Sequence, residues 1–184
     1  STCSDGNAQA TTTMSEKPSI AVAVAGAAAG DVLLVANIGD QQFIQDTAQA
    51  DASGQALFSR DQPYPKGLYI AYYTDKTVVQ FLIDEDQEFS LTAKKNELPN
   101  LVSVEGSLAN QLFYENRAFE ASFQPRVTAA NQVVKSVEKN TPAYDEAQAT
   151  LEEVLAERKA HLQEVFAAHP DNFYVSFKQA GQNP

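Results

Sequence analysis

Residues 66–94 constrain the fold of this 184-residue chain most strongly, because apolar and polar side chains alternate there through three consecutive segments. A period of two is the pattern of a β-strand that buries one face. The two breaks, residues 74–76 and 84–86, are polar and of hairpin length, so we expect the three segments to pair as an antiparallel meander. The alternating positions are Leu68, Ile70 and Tyr72, then Val79, Phe81 and Ile83, then Phe89, Leu91 and Ala93.

Strand-like segments also lie on both sides of this stretch. The composition predicts strands at residues 18–25, 31–36, 42–50, 55–60 and 101–105, with turn-forming residues between them. After Gly106 the apolar spacing changes to three and four residues, which is typical of amphipathic helices. The sequence therefore predicts an α+β chain, in which an antiparallel β-sandwich is followed by an antiparallel helical hairpin.

The helical half contains clear boundary signals. Ser107 is predicted to cap the first helix, and Thr141 followed by Pro142 is predicted to begin the second. We expect Pro125 to kink or restart the first helix, because proline removes a backbone donor. Asp171 is predicted to cap a short third helix that has little chain left to pack against.

Charge and composition exclude several classes of function. The net charge is −11, and a chain this acidic is not expected to bind nucleic acid, whose phosphates require the opposite sign. The sequence has no apolar run of 18 residues that would span a membrane. Its single cysteine, Cys3, excludes an internal disulfide, a CxxC pair and a multi-cysteine zinc site.

Residues 1–17 are small and polar, so we interpret them as a flexible leader. Cys3 is the candidate lipidation site, because a polar tether after a cysteine suits a surface anchor. The alternative is an ordinary free thiol. The remaining boundaries place the β-sandwich at residues 18–106 and the helical segment at residues 107–184.

No catalytic constellation is apparent, and no catalytic residue, metal ligand or cofactor is assigned. Tyr69 and Tyr73 are candidates for a ligand-stacking platform, since alternation puts them on one face and Tyr72 on the other. Two weaker alternatives are metal sites. Four residues with helical spacing could face one metal ion, and four acidic residues in a strand connection could bind calcium, although the EF-hand spacing is absent. These two sets are Glu153, Glu157, His161 and Glu164, and Asp84, Glu85, Asp86 and Glu88.

Several short motifs resemble the N-terminal region of exported thioredoxin-like lipoproteins of Gram-negative bacteria. The similar elements are Gly26, Asp46-Thr47, the Asp51-x-x-Gly54 turn, Gly67-Leu-Tyr69, Phe81-x-x-Asp84, and Glu105-Gly-Ser107 with Asn110 and Phe113-Tyr114. In that family a β-sandwich and a helical segment precede a thioredoxin fold with a CxxC active site. This chain has no CxxC and no thioredoxin pattern.

The resemblance implies a non-catalytic accessory module of an envelope thiol-disulfide oxidoreductase, which spaces or dimerises the redox domain or contacts its clients. Its partner would be a C-terminal thioredoxin-like domain or a separate redox protein, and a homodimer is one form of this role. The implied location is the periplasm or cell envelope, with membrane attachment only through a lipid. The alternative is a stand-alone envelope module that binds a glycan or peptide.

Overall fold

The computed structural model describes residues 17–182, which form eight strands and three α-helices. The predicted α+β class is confirmed, since the strands precede Gly106 and the α-helices follow it. The leader proposed for residues 1–17 lies, except for Lys17, outside the described residues. The elements are β1 (Ser19–Ala25), β2 (Gly30–Ile38), β3 (Gln41–Ala50), β4 (Gln55–Phe58), β5 (Gly67–Tyr72), β6 (Val78–Ile83), β7 (Glu88–Lys94), β8 (Val102–Glu105), α1 (Leu108–Ser136), α2 (Pro142–Ala168) and α3 (Phe173–Gln182).

The strands form two four-stranded sheets, with the orders β4-β1-β7-β8 and β3-β2-β5-β6. Neighbouring strands are antiparallel except for β1 and β7, which are parallel over their whole length. Inward-facing side chains from both sheets make one buried cluster, in which Ile20, Val22 and Val24 of β1 lie with Val32 and Leu34 of β2. Alternation along each strand produces this core, because every second side chain of a strand lies on the same face of its sheet.

The predicted three-stranded meander is wrong at its second connection. β5 and β6 pair as expected, but β7 lies in the other sheet, between β1 and β8. The rings of Phe81 and Phe89 show why, since they pack edge to face across the core with centroids 6.0 Å apart. The apolar faces of β6 and β7 therefore oppose each other. Alternation indicates which face is buried, and it does not indicate which strand lies alongside.

Both predicted helix caps are confirmed. The Ser107 hydroxyl accepts a hydrogen bond from the Asn110 N–H at 3.2 Å, and the Thr141 hydroxyl accepts one from the Tyr144 N–H at 3.2 Å. The expected restart at Pro125 is wrong, because α1 continues through it as one helix of 29 residues.

The third helix differs from the prediction in its cap and in its packing. The Asn172 side chain, rather than Asp171, accepts a hydrogen bond from the Tyr174 N–H at 2.9 Å. Tyr174 and Val175 are buried in a second cluster that includes Leu82 of β6 and Leu112 of α1. The third helix thus packs on the outer face of β6 and the start of α1, where the sequence suggested no partner.

The start of α1 is attached to β6, the edge strand of its sheet. The Asn110 side chain accepts from the Leu82 N–H at 2.7 Å and donates to the Leu82 carbonyl at 2.8 Å, as a further strand would. One turn later the Tyr114 hydroxyl donates to the carbonyl of Gln80. Residues 110 and 114 on a helix and residues 82 and 80 on a strand have similar spacings, so the two elements match. We call this contact between Asn110, Tyr114 and β6 the joint.

Candidate interaction surface

Tyr69 and Tyr73, the candidate platform residues, are core side chains. They are 0% and 4% exposed, and their hydroxyls donate to the Pro65 carbonyl at 2.6 Å and the Gly54 carbonyl at 2.7 Å. Burial raises the pKa of each phenol to about 12. The shared face predicted for these tyrosines is the inner face of the sheet, so neither ring is available for stacking on a ligand at the surface.

Two of the helical residues that were considered as metal ligands, Glu157 and His161, make contacts with other side chains. The Arg126 guanidinium donates to both oxygens of Glu157 at 3.0 and 2.8 Å, and it holds the pKa of that carboxyl below its usual range. The His161 ring stacks on Phe119 with centroids 3.6 Å apart. Within residues 17–182, no group of three or more His, Cys, Asp or Glu side chains is arranged to hold a metal ion.

The acidic connection between β6 and β7 is held by hydrogen bonds and an ion pair. Asp84 accepts from the Asp86 N–H at 3.1 Å, and its partial burial raises the pKa of its carboxyl. Glu85 pairs with Lys66 at 2.9 Å. The Gln87 side-chain amide donates to the Tyr64 carbonyl at 2.8 Å, which fixes the crossing between the two sheets. These contacts explain the acidic residues between β6 and β7 as parts of a structural connection between the two sheets.

Cys3, the lipidation candidate, lies outside the described residues. Among the helices that the structure does describe, none has the length and apolar character needed to cross a bilayer.

The second half of α1 and the first half of α2 form a two-helix arm. Residue 119 contacts 161, residue 126 contacts 157, and residue 130 lies in one groove with 147. The small side chains Ala130 and Ala147 are buried, yet they belong to neither of the two core clusters. We call the segments 124–136 and 142–157 the arm.

An apolar groove of about 580 Å³ runs along the arm. Its walls are mainly alanine and valine side chains, and Val133 is 51% exposed. Apolar side chains in a groove gain free energy when another molecule buries them. We call this feature the arm groove, and its lining residues are Arg126, Ala129, Ala130, Val133, Val137, Ala143, Glu146, Ala147, Thr150 and Val154.

Two ion pairs connect α1 to α2. The Arg126–Glu157 pair lies at one end of the groove, and the Arg126 guanidinium also sits over the Phe123 ring, 4.9 Å from its centroid. Nearer the sheets, Arg158 donates to Glu120 at 2.8 Å. Because the side chains of both ion pairs are partly or half exposed, each pair adds little to stability.

Sequence reasoning did not identify the arm groove, although its signal can be read in the sequence. Positions 126, 130 and 133 of α1 with its C-cap residue 137, and positions 143, 147, 150 and 154 of α2, are spaced by four, three and four residues. This is the spacing of helix-bundle core positions. Alanine and threonine side chains are small, and the sequence pattern alone does not show that they leave a groove between the helices.

Comparison with known proteins does not identify the chain: no family model matches it, and no curated protein matches its sequence.

Proposed function

We propose that this chain is a non-catalytic accessory module, a β-sandwich bearing an antiparallel helical hairpin, which contacts another protein through the arm groove. The observation that carries the proposal is the apolar groove itself, with half-exposed Val133 on its wall. Burying apolar side chains against a partner is the main source of affinity in protein association.

The arrangement of the rest of the chain supports this role. Asn110 is fully buried and joins α1 to β6 by two hydrogen bonds, so the arm is attached to the sheets through polar contacts of defined geometry. Preorganised surfaces lose less conformational entropy on binding than flexible ones. The sheets act here as a base, and the arm presents the contact surface.

The resemblance to exported thioredoxin-like lipoproteins supports the part of the proposal that concerns the partner, the cellular location and the membrane attachment. In this proposal the module serves an envelope thiol-disulfide oxidoreductase by spacing it, dimerising it or contacting its clients. The partner is a C-terminal thioredoxin-like domain or a separate redox protein, the location is the periplasm or cell envelope, and a lipid on Cys3 is the membrane attachment. The glycan or peptide platform is not proposed, because Tyr69 and Tyr73 are buried.

Site-specific photo-cross-linking in the cells that make the protein tests the contact surface. A photoreactive phenylalanine analogue replaces Val133 in the arm groove or, as the matched control, Leu57, which is 56% exposed on β4. We expect adducts from position 133 whose partner, identified by mass spectrometry, is a redox protein or a second copy. Equal adducts from both positions, or none from position 133, would contradict the proposal.

The association with redox chemistry has a separate test. The gene is sequenced on both sides of the codons for Ser1 and Pro184, and the reading frame is searched for a CxxC motif at a strand-to-helix turn. We expect such a motif in this frame or in a protein that is cross-linked through position 133. Its absence from both would refute the redox role and leave the contact surface intact.

A further inference from the structure

Strand β8 lies at the edge of its sheet, beside a groove. Within residues 17–182, β7 is the one strand that pairs with β8, so the backbone on the other side of β8 has no strand partner. A groove of about 600 Å³ lies between residues 100–104 and helix α1, and we call it the β8 groove. The edge of a strand presents backbone donors and acceptors with the spacing that another extended chain requires.

A hydrogen bond from α1 shows which way the backbone of β8 points. The Gln111 side-chain amide donates to the Val104 carbonyl at 3.3 Å, so this carbonyl is accessible from the α1 side of the strand. Alternate residues of a strand direct their backbone groups to the same edge, and Val102 therefore presents its N–H and carbonyl on that side too. The side chains of both valines pack against the core, so their backbone is what a ligand in the groove would bind.

The edge of β6, in the other sheet, is closed more completely by the same helix. There the Asn110 side chain bonds both the N–H and the carbonyl of Leu82. Among the described side chains of α1, Gln111 alone bonds the backbone of β8, and its distance of 3.3 Å is longer than the usual range of about 2.7–3.2 Å. The N–H group of an added strand can replace so long a bond, so the edge of β8 is open where that of β6 is closed.

The α1 side of the groove indicates the chemistry of the ligand. Buried Tyr114 and exposed Ala118 provide apolar contacts beside the strand. Glu115, which is exposed, is the only charged side chain among the described residues that line the groove, and exposed Glu105 ends β8. Charge complementarity across an interface favours the opposite sign, so a ligand that carries lysine or arginine fits this site.

We propose that the β8 groove binds an extended, basic segment of another protein, which adds to the sheet as a strand beside β8. Peptides that bind in this way gain affinity from main-chain hydrogen bonds and specificity from alternate side chains. Val102 and Val104 supply the backbone groups, and Glu115 pairs with a lysine or arginine of the segment. This inference goes beyond the proposed function, because it concerns a surface separate from the arm groove.

Selection from a phage-displayed library of random ten-residue peptides on the full 184-residue chain tests the proposal. We expect binders that contain lysine or arginine and have micromolar dissociation constants. Ala118→Trp fills the groove from α1 and should weaken their binding by at least about 10-fold. Glu115→Lys should weaken it by about 3- to 30-fold. The matched control Glu153→Lys, the same charge change at an exposed position of α2, should leave binding unchanged. Far-UV circular dichroism checks that the variants fold.

Backbone methylation of a selected peptide distinguishes strand addition from binding through side chains alone. Alternate N–H groups of an extended peptide point to opposite edges, so one alternating set faces β8 and the other faces solvent. Two synthetic forms of the peptide carry N-methyl groups on the odd-numbered or on the even-numbered residues. We expect the affinities of the two forms to differ by at least about 10-fold, because only one form loses its bonds to the strand. Equal affinities would overturn strand addition.

Hydrogen exchange measured by NMR locates the bound peptide. Exchange of the Val102 and Val104 amides should become slower by at least about 10-fold, while exchange in the arm stays the same. A library without binders, binders that Ala118→Trp does not weaken, or protection confined to the arm refutes the inference. Cross-linking from position 133 does not depend on these results, so the proposed function is tested separately.

Discussion

Replacing Asn110 by leucine should destabilise the chain strongly, because this residue connects its two halves. Asn110 is fully buried, and its amide bonds both the N–H and the carbonyl of Leu82 as well as the Ser107 hydroxyl, at 2.7, 2.8 and 3.0 Å. Leucine has a similar volume, so packing changes little. The change therefore isolates the loss of the polar contacts.

The magnitude follows from the groups left without partners. The N–H and carbonyl of Leu82 would both remain buried, and an unsatisfied buried group costs about 1–3 kcal/mol. The added apolar surface of leucine offsets about 1 kcal/mol of this loss. We expect the free energy of unfolding to fall by about 2–4 kcal/mol, which is a large part of the 5–15 kcal/mol that is usual for a domain.

Urea unfolding followed by circular dichroism measures this change. The midpoint should fall by about 1 M or more if the slope has its usual value of about 1–3 kcal/mol/M. Asn131→Leu is the matched control, because Asn131 is a partly buried asparagine on the same helix, away from the joint. A loss below about 0.5 kcal/mol for Asn110→Leu, or equal losses for the two variants, would refute the role assigned to the joint.

Further measurements test the β-sheets. Gly54→Ala should lower the free energy of unfolding by about 3 kcal/mol or more, measured by thermal unfolding, because a Cβ there overlaps the Val24 carbonyl. The control Gly39→Ala is also at positive φ but has open space around it, and it should cost about 1–2 kcal/mol. Equal losses for the two variants would contradict the overlap. The Thr77 side chain, the Lys95 ammonium and the Thr77 N–H hold the pKa of Asp75 well below its usual range. This contribution to stability is complete above the unfolded-state pKa of about 3.9 and is lost as the pH falls below it, so Asp75→Asn should flatten the acid side of the stability profile, and an unchanged profile would contradict this assignment.

The sequence predicted the strands and helices well because each has a strong local period. Ser107 and Thr141 were identified as caps from residue type alone, since capping depends on neighbours in sequence. Strand pairing depends instead on residues far apart. Nothing local to β6 and β7 indicates that Phe81 and Phe89 face each other across the core, and the meander was consequently placed in one sheet.

The candidate site was predicted less well, for a related reason. Alternation correctly placed Tyr69 and Tyr73 on one face, but only the second sheet decides that this face is buried. The arm groove has a different difficulty, because the sequence does not show that Ala130 and Ala147 leave a groove between the two helices. The groove becomes visible once α1 and α2 bring these small residues together.

The joint explains several residues on which the resemblance to thioredoxin-like lipoproteins rests. Gly106 has φ of 87°, and a Cβ there would lie 2.8 Å from the Glu88 carbonyl oxygen, so only glycine fits this turn between strand and helix. Ser107 caps α1, and Asn110 and Tyr114 bond the edge of β6. Each residue type is required by the geometry of the joint, whatever the attached module does. These residue types are therefore explained by the connection between sheet and helix, and they carry no information about a redox role.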